Sequence, residues 1–271
     1  PVEPVKRKMR AIQLCPSNKT GNKDMKRQEL LGIDVGGSGI KGAIIALETG
    51  ELRSVRFRVA TPSPAKPALV AVAFKEVVEQ FKWKGPIGCG FPAVIREGVA
   101  LTAANIDPQW IGTNAAQLLG KATGCEVYIS NDADLAGLAE MRYGVGRGKN
   151  GTVILITIGS GLGSALFING RMVPNTELGH LFLKNSKQIA ERYAADSARK
   201  REDLSWEEWG TRFNKYLQHL ERLFSPSLFI LGGGGSKKFD RYREVLTLKT
   251  EVIPAQMRNN AGIIGAAIFA A

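Results

Sequence analysis

Short apolar blocks separated by glycine-rich turns dominate the chain from Leu30 onward. Blocks at residues 30–35, 40–47 and 52–60 predict three consecutive strands, because apolar runs bounded by turn residues are typical of strands. From about residue 67 the apolar positions recur at helical spacing as far as Trp83. This opening predicts a mixed α/β protein that starts with an antiparallel meander.

Strand and helix patterns alternate along the rest of the chain. Further strands are predicted at residues 86–94, around Val99, at 126–132 and at 227–233. Helices are predicted at residues 111–121, 133–144, 186–224 and 260–271, and the four glycines after the last strand are predicted to form a turn.

The segment "TVILITIGSGLGSALFING", residues 152–170, repeats the theme of the opening: an apolar strand pattern, a Gly/Ser turn and another strand pattern. One such unit in each half predicts two similar α/β lobes with a ligand cleft between them. We expect a basic tail at residues 1–28, a first lobe at 29–131 and a second lobe at 132–259. The helix at about 260–271 is expected to pack back on the first lobe.

The 271 residues, 44% of them hydrophobic, suffice for one large or two modest domains with buried cores. No apolar run reaches the roughly 18 residues of a membrane span, and no secretory leader pattern is found. We therefore expect a cytoplasmic protein with no membrane partner. Three distant cysteines, Cys15, Cys89 and Cys125, predict neither a disulfide framework nor a zinc knuckle.

Positive charge exceeds negative charge by twelve. Half of the excess stands in the first 28 residues, where eight basic side chains oppose two acidic ones. This segment has neither helical nor strand periodicity, and we interpret it as a largely disordered basic tail. The remaining excess is compatible with a polyanionic ligand without identifying one.

Three glycine-rich turns follow predicted strands, at residues 34–39 ("DVGGSG"), 159–164 ("GSGLGS") and 232–236 ("GGGGS"). Glycines allow close approach, so that successive backbone N–H groups and a serine hydroxyl can converge on one anion. Each turn alone is more often an ordinary hairpin turn. No G-x-x-x-x-G-K-[ST] occurs, and a G-x-G-x-x-G match at 146–151 follows a predicted helix instead of a strand, so the common nucleotide-binding motifs are excluded.

Carboxylates stand beside these turns. Phosphoryl transfer to a hydroxyl needs positioned phosphates, positive charge such as Mg²⁺, and often a carboxylate to accept the proton. Asp34 ends the first predicted strand, where it can hold hydrated Mg²⁺. Asp132 stands where a strand meets a helix, so helix capping and general-base chemistry are both open. Glu177 and His180, in "NTELGH", can hydrogen-bond vicinal hydroxyls.

Seven motifs in this order resemble those of the ROK sugar kinases: "GIDVGGSGIKGAI", "GCGFPA", "NIDPQW", "SNDADLAGLAE", "TIGSGLGSAL", "ELGH" and "FILGGGGS". The resemblance runs from about residue 30 to the C-terminus. It implies a two-lobed actin-like ATPase (ribonuclease H-like) α/β fold with the active site in the interlobe cleft. It also implies Mg²⁺ as cofactor, a homodimer as in many members, and no specific nucleic-acid partner.

The resemblance also implies a role for each matching residue. Asp132 would be the general base on the sugar 6-hydroxyl. The sugar pocket would comprise Asn105, Asn131, Asp132, Glu177, His180 and the turn formed by Gly90, Phe91 and Pro92. The donor phosphates would lie between Asp34, Gly36, Gly37, Ser38 and Lys41 of one lobe and Thr157, Gly159, Ser160, Gly161, Gly233, Gly234, Gly235 and Lys237 of the other. Asp34 would hold Mg²⁺ through water.

One departure narrows the expected activity. Many ROK members carry a cysteine-rich zinc motif after the histidine, whereas residues 181–209 contain no cysteine, so we expect no zinc site. The replacement resembles the branch of the family that phosphorylates glucose from inorganic polyphosphate, commonly accepting ATP as well, to give glucose 6-phosphate. A strictly ATP-dependent glucokinase or mannokinase stays open, and so does mannose as acceptor.

A non-catalytic sugar-sensing repressor of the same family is a remote alternative. Its helix-turn-helix module needs about 60 to 80 residues ahead of the first strand, and this chain has fewer than 30 there.

A long polyanionic donor favours a positive track leading away from the site. Three basic clusters are candidates: Arg142, Arg147 and Lys149; Arg199, Lys200 and Arg201; and Lys237, Lys238, Arg241 and Arg243. Charged helix faces are usually only solvated, and our hypothesis is that the last cluster contributes.

Overall fold

The computed structural model describes residues 28–104, 106–184 and 186–271. The expectations for the tail up to residue 27, for Cys15 and for Asn105 lie outside the described residues. The strands are β1 (Glu29–Gly36), β2 (Gly39–Ala46), β3 (Phe57–Val59), β4 (Ile87–Phe91), β5 (Ile95–Arg96), β6 (Val99–Ala100), β7 (Val127–Asn131), β8 (Thr152–Ile158), β9 (Leu162–Ile168), β10 (Arg171–Val173), β11 (Leu228–Gly232) and β12 (Glu251–Pro254). The helices are α1 (Pro67–Gln80), α2 (Ala115–Thr123), α3 (Asp132–Tyr143), α4 (Ala190–Ala194), α5 (Asp196–Arg201), α6 (Trp206–Phe224), α7 (Gly233–Ser236) and α8 (Ala261–Phe269). Short 3₁₀ turns lie at Pro108–Trp110, Leu178–His180, Phe239–Arg241, Arg243–Val245 and Arg258–Asn260.

Two five-stranded sheets share one topology. Their strand orders are β3-β2-β1-β4-β7 and β10-β9-β8-β11-β12. In each sheet a three-stranded antiparallel meander is followed by two parallel strands. The predicted repeat is therefore a repeat of the whole sheet, and the predicted mixed α/β class is confirmed. A small hairpin of β5 and β6 lies beside the first sheet.

Helices α3 and α8 pack against each other between the two sheets. Apolar residues of α3, such as Leu135 and Leu138, share a buried cluster with strands of the second sheet. Residues of α8, such as Ile263 and Ile264, share another with the first sheet. These two helices give the sheets a common core.

Helix α8 lies unusually close to the first sheet because the strands beneath it carry glycines. A Cβ at Gly32 of β1 would collide with the carbonyl group of Ile263, and a Cβ at Gly88 of β4 would collide with that of Ala266. The absence of side chains lets the helix backbone rest directly on the strands. The final helix is confirmed and contacts β1 and β4.

Three predicted elements differ from the structure. The third strand is only Phe57–Val59, because Leu52 makes no more than an isolated bridge to Ile45. The helical segment at 186–224 is divided into α4, α5 and α6, because Ala195 has extended backbone and a capping box of Ser205 and Glu208 starts α6 afresh. The tetraglycine stretch forms the single helical turn α7 where a turn without helix is predicted.

Within the described residues, no helix combines the length and the apolar composition that a bilayer crossing requires.

Candidate active site

Asp132 is the first residue of α3 and follows β7 directly. Its neighbour Asn131 is the helix cap, since the Asn131 side-chain oxygen accepts hydrogen bonds from the N–H groups of Ala133 and Asp134 at 2.9 and 3.2 Å. The Asn131 amide also donates to the Ala93 carbonyl at 3.2 Å. Asp132 itself accepts one bond, from Ala133 N–H at 2.8 Å, through Oδ1. Since Asn131 makes the capping bonds, Asp132 uses only its Oδ1 within the helix. Its Oδ2 is available for a ligand.

A second carboxylate lies near Asp132 at the ends of the parallel strands. A Cβ built on Gly90 would lie 3.5 Å from Oδ1 of Asp34 and 3.6 Å from Cα of Asp132, so the two aspartates flank this glycine. Burial, and next the charge of Asp34, raise the pKa of Asp132 from 3.8 to about 7. Burial also raises the pKa of Asp34, against the opposing effect of Lys41, whose Nζ lies 3.7 Å from Oδ2 of Asp34.

The first glycine turn joins β1 to β2. Gly37 and Ser38 are exposed, and a Cβ on Gly37 would meet no atom within 4 Å, which leaves open space over this turn. The Arg58 guanidinium donates to the Ser38 carbonyl, and the Thr61 hydroxyl donates to the Gly36 carbonyl at 2.5 Å. These two hydrogen bonds fix the main chain of the turn.

Two arginines near this turn, Arg56 and Arg58, were not predicted from the sequence motifs. Both stand in the segment "VRFRV", where Arg56 precedes β3 and Arg58 pairs in register with Lys41 across β2 and β3. The positive charge of Arg56 is close enough to oppose the raised pKa of Asp34. The alternation of basic and apolar residues in "VRFRV" was the available signal, since alternate residues of an extended segment point to the same side.

The second glycine turn joins β8 to β9, the equivalent position in the second sheet. Gly159 N–H donates to the Gly161 carbonyl at 3.0 Å, and the Ser197 hydroxyl of α5 donates to the Ser160 carbonyl at 2.6 Å. The Glu191 carboxylate of α4 accepts from Leu162 N–H at 2.9 Å and occupies the space where a side chain on Gly161 would lie. The turn is thus fixed by α4 and α5.

This second turn approaches the first residues of α3. A Cβ on Gly163 would lie 3.0 Å from the Cβ of Ala133 and in contact with the Thr157 hydroxyl. Gly163, which pairs with Thr157 across β8 and β9, therefore lies against Ala133, the residue that follows Asp132. The ends of both sheets meet at the N-terminus of α3, where the helix dipole favours anions.

The third glycine segment lies beside the second turn. Gly233 forms a bridge with Ile158 and has a φ of 75°, which suits a residue without a side chain. Gly234 is exposed, whereas Gly235 is buried against the Ile158 side chain. Lys237 caps the short helix and is exposed. These residues therefore lie beside the end of β8, next to the second glycine turn.

Glu177 and His180 lie at the 3₁₀ turn after β10. His180 Nδ1 is 3.8 Å from Oε2 of Glu177, and the histidine is exposed. Burial raises the pKa of Glu177, against the opposing effect of His180. The charge of Glu177 in turn contributes to the raised pKa of both Asp132 and Asp134, so this turn faces the start of α3.

Asn175, to which no sequence motif assigned a role, connects this turn to the hairpin of β5 and β6. Its side chain accepts from Ile95 N–H and donates to the Ile95 carbonyl, both at 2.9 Å. Its own N–H donates to Oδ2 of the buried Asp134 at 2.7 Å. Asp134 Oδ1 is buried with no hydrogen-bond partner in the described residues, and burial raises the pKa of this carboxyl to about 7.

The turn after β4 lies on the other side of the same region. Phe91 is fully buried, with its ring centroid 4.6 Å from that of Trp110 in an edge-on arrangement, while Pro92 is partly exposed. Trp110 Nε1 donates to the Ala65 carbonyl at 2.9 Å. Phe91 therefore supports the pocket from inside, and Pro92 is the part of this turn that a ligand can reach.

The three basic clusters differ in how their charges are compensated. Arg199 and Lys200 both bind Asp196, at 2.8 and 2.7 Å, and Lys149 lies 3.2 Å from Glu251. Arg243 lies close to Asp240 and Glu244. Lys237, Lys238 and Arg241 are exposed and have no carboxylate within 4.0 Å among the described residues. The last cluster therefore contains the most uncompensated charge.

Comparisons with known proteins agree on one family. A model of the ROK family matches residues 30–191. The chain is 48% identical over 238 residues to the polyphosphate glucokinase of Mycobacterium tuberculosis (strain H37Rv), covering 88% of this chain and 89% of that protein. The crystal structure of an inorganic polyphosphate/ATP-glucomannokinase from Arthrobacter sp. strain KM superposes with a TM-score of 0.85 at 48% identity, covering 89% of this chain and 98% of that one.

A more distant structure shares the same architecture. The ROK family glucokinase from Streptomyces griseus, solved with glucose and AMPPNP, is 25% identical and superposes with a TM-score of 0.73, over 89% of this chain and 99% of that one.

Proposed function

The chain belongs to the ROK family, and we propose that it transfers a phosphoryl group from inorganic polyphosphate to the 6-hydroxyl of glucose. Its fold is the actin-like ATPase fold of the ROK sugar kinases. The observation that carries the proposal is the position of Asp132, a carboxylate with a pKa of about 7 between two glycine turns. The 48% identity to a polyphosphate glucokinase supports polyphosphate as the donor.

Asp132 acts as the general base in this reaction. The glucose 6-hydroxyl oxygen attacks the terminal phosphorus of the donor while its proton passes to the Asp132 carboxylate. The bond from that phosphorus to the bridging oxygen breaks, and the products are glucose 6-phosphate and a chain shorter by one phosphate. A pKa of about 7 suits the task, because about half of the group is then ionised at neutral pH and it is a stronger base than an ordinary carboxylate.

Positive charge near the donor comes from side chains and from Mg²⁺. Asp34 offers one carboxylate beside the first turn, and Mg²⁺ is usually held by one or two carboxylates together with substrate phosphates and water. Among the described residues there is no group of three or more acidic, histidine or cysteine side chains that could hold a metal ion. Bound beside Asp34, Mg²⁺ would neutralise charge on the transferring phosphate. Lys41 and Arg58 add positive charge on the same side.

The sugar would be held from two sides. We propose that the side chains of Glu177 and His180 hydrogen-bond to sugar hydroxyls from one side. Asn131 and the turn at Gly90 to Pro92 would contact the sugar from the other side. Asn105 has the same assignment by its place in "NIDPQW". The hydrogen bonds of Asn131 to Ala93 and to the start of α3 orient its side chain and leave one amide hydrogen for a hydroxyl.

Further properties follow by analogy. The activity of the Arthrobacter relative, an inorganic polyphosphate/ATP-glucomannokinase, supports ATP as a second donor and mannose as a second acceptor. We also propose a homodimer, which light scattering at several protein concentrations would test.

The experiment that tests the function is the initial rate of glucose 6-phosphate formation with Mg²⁺, with long-chain polyphosphate or ATP as donor. We expect a higher kcat/KM with polyphosphate. Asp132→Asn keeps the shape of the side chain and its bond to Ala133 N–H but cannot accept the proton, so kcat should fall about 10²- to 10⁴-fold.

The outcomes separate the alternatives. A preference for ATP would make the protein an ordinary glucokinase or mannokinase of the family. If Asp132→Asn retained full kcat with either donor, the assignment of the base would be wrong.

A further inference from the structure

A basic cavity of about 660 Å³ lies between α6 and the segment that follows His180. One wall is a stripe of α6 in which Lys215, His219 and Arg222 recur at helical spacing. The other wall carries Lys184 and Lys187, in the loop closed by a bridge between residues 182 and 189. This loop belongs to the segment that replaces the zinc motif of many relatives.

The charges of this cavity are uncompensated. Its lining includes three lysines and one arginine, and none of its residues is acidic. In the described part of the chain, none of these four cations has a carboxylate within 4.0 Å, unlike Arg199 and Lys200 on α5. Like charges that converge on a concave surface without counter-charges raise the local concentration of anions. Such an arrangement costs stability when empty, which favours a role in binding.

A chain of contacts connects the cavity to the second phosphate turn. Ser197 of α5 donates to Ser160, and in the same helix Arg201 donates to the Arg192 carbonyl of α4 at 2.8 Å. The guanidinium carbon of Arg212 lies 5.1 Å from the centre of the Tyr193 ring. Tyr193 is itself part of the cavity lining. These contacts link the turn to the cavity through α4, α5 and α6, and Arg201 and Arg212 on this path are both paired with Glu202, at 2.8 and 2.6 Å.

We propose that this cavity binds an internal segment of the polyphosphate chain whose end lies at the phosphate turns. The inference rests on the proposed function, because it assumes polyphosphate as the donor. A linear chain of phosphates has the repeated negative charge that such a surface binds. It carries no base or ribose, so it can extend from the turn to the cavity without a specific contact to either group. The cavity thereby raises the affinity for long donors and leaves the chemical step unchanged.

The distance to the reacting end predicts a dependence on chain length. Tyr242 stacks on Trp206 at the start of α6, and its hydroxyl donates to the Gly235 carbonyl at 3.5 Å, so this end of α6 lies beside the donor-side glycines. Lys215 and Arg222 follow about 14 to 24 Å farther along the helix, at about 1.5 Å per residue. Inorganic triphosphate is too short to span that distance, and ATP carries no further phosphates.

The test compares Lys187→Ala/Lys215→Ala, which removes one cation from each wall, with the wild type. We expect the KM for long-chain polyphosphate to rise about fivefold, because exposed charge pairs each contribute on the order of a factor of two to three. The kcat, the KM for ATP and the KM for inorganic triphosphate should not change. Lys84→Ala/Lys121→Ala removes the same charge from exposed positions near the first sheet and is the matched control.

Direct binding of long-chain polyphosphate, measured by titration calorimetry, separates this inference from the proposed function. Weaker binding by the cavity variant than by the control supports the cavity site even if no polyphosphate turnover is found, in which case the function fails alone. Normal turnover with an unchanged KM in the cavity variant overturns the cavity site and leaves the function standing. An equal rise in the KM for long-chain polyphosphate in the cavity variant and in the control would indicate general electrostatic attraction and would also overturn the cavity site. So would a single-stranded oligonucleotide that bound the cavity while polyphosphate did not.

Discussion

Replacing Asn175 by alanine removes the two hydrogen bonds that its side chain makes with the main chain of Ile95. Ile95 belongs to the small hairpin beside the first sheet, whereas Asn175 precedes the turn of Glu177 in the second half of the chain. The two hydrogen bonds therefore fix the hairpin of β5 and β6 relative to the turn of Glu177, the two sides of the proposed sugar pocket. We expect the variant to lose both stability and affinity for glucose.

The loss of stability can be worked from the contacts. Two hydrogen bonds at about 1 kcal/mol each give about 2 kcal/mol. Asn175 also has a φ of 61°, a left-handed conformation that asparagine tolerates and that costs alanine about 1 kcal/mol more. The free energy of unfolding should fall by about 3 kcal/mol for Asn175→Ala. Asn175→Gly lacks the φ penalty and should lose about 2 kcal/mol.

Urea unfolding with linear extrapolation measures the first quantity, and initial rates against glucose concentration measure the second. Because the turn that carries Glu177 would move, we expect the KM for glucose to rise about tenfold with a smaller change in the KM for the donor. A loss below about 0.5 kcal/mol together with an unchanged KM for glucose would refute the view that Asn175 joins the two sides.

Three other predictions follow from the site. Asp132 must be ionised to accept the proton, so kcat/KM for glucose should increase with pH and level off above a pKa of about 7, and a flat profile between about pH 5.5 and 8 would contradict this role. The folded state raises the pKa of Asp134 from 3.8 to about 7, so the stability this carboxyl contributes is present below about pH 4 and is lost as pH rises through 7. The wild type should therefore lose stability relative to Asp134→Asn between pH 5 and 8, measured by urea unfolding, and a constant difference would be inconsistent with that pKa. Lys237→Ala/Lys238→Ala should raise the KM for polyphosphate of any length more than the KM for ATP; equal effects on the two donors would rule out this cluster as part of the track.

Lys237 and Lys238 on one side, and the basic cavity on the other, are proposed to bind different parts of the polyphosphate donor. Lys237 and Lys238 follow α7 directly, beside the glycines that border the donor side, and are uncompensated there. The cavity lies farther along α6. An effect of Lys237 and Lys238 on short and long donors, and of the cavity on long donors alone, would assign each surface its own section of the chain.

Most of the local structure was predictable from the order of residues. Apolar blocks bounded by glycines determine β1, β2, β8 and β9, because strand formation depends on side-chain alternation and turn residues that lie next to each other in the chain. The same local reasoning put Asp132 at a strand-to-helix junction and left capping and catalysis both open. The structure separates the two, since Asn131 makes the capping bonds.

Contacts between segments that are distant in the chain were decided only by the tertiary structure. The register of β2 and β3 brings Arg58 opposite Lys41, and the pairing of β4 with β1 and with β7 brings Asp34 and Asp132 to either side of Gly90. Asn175 meets a residue 80 positions away in the chain. The basic wall of α6 meets the loop after His180 because the apolar face of α6 is buried against the second sheet. Sequence periodicity specifies which face of an element is buried, but the partner of that face depends on how the whole chain packs, and the pKa values and cavities of the site arise from that packing.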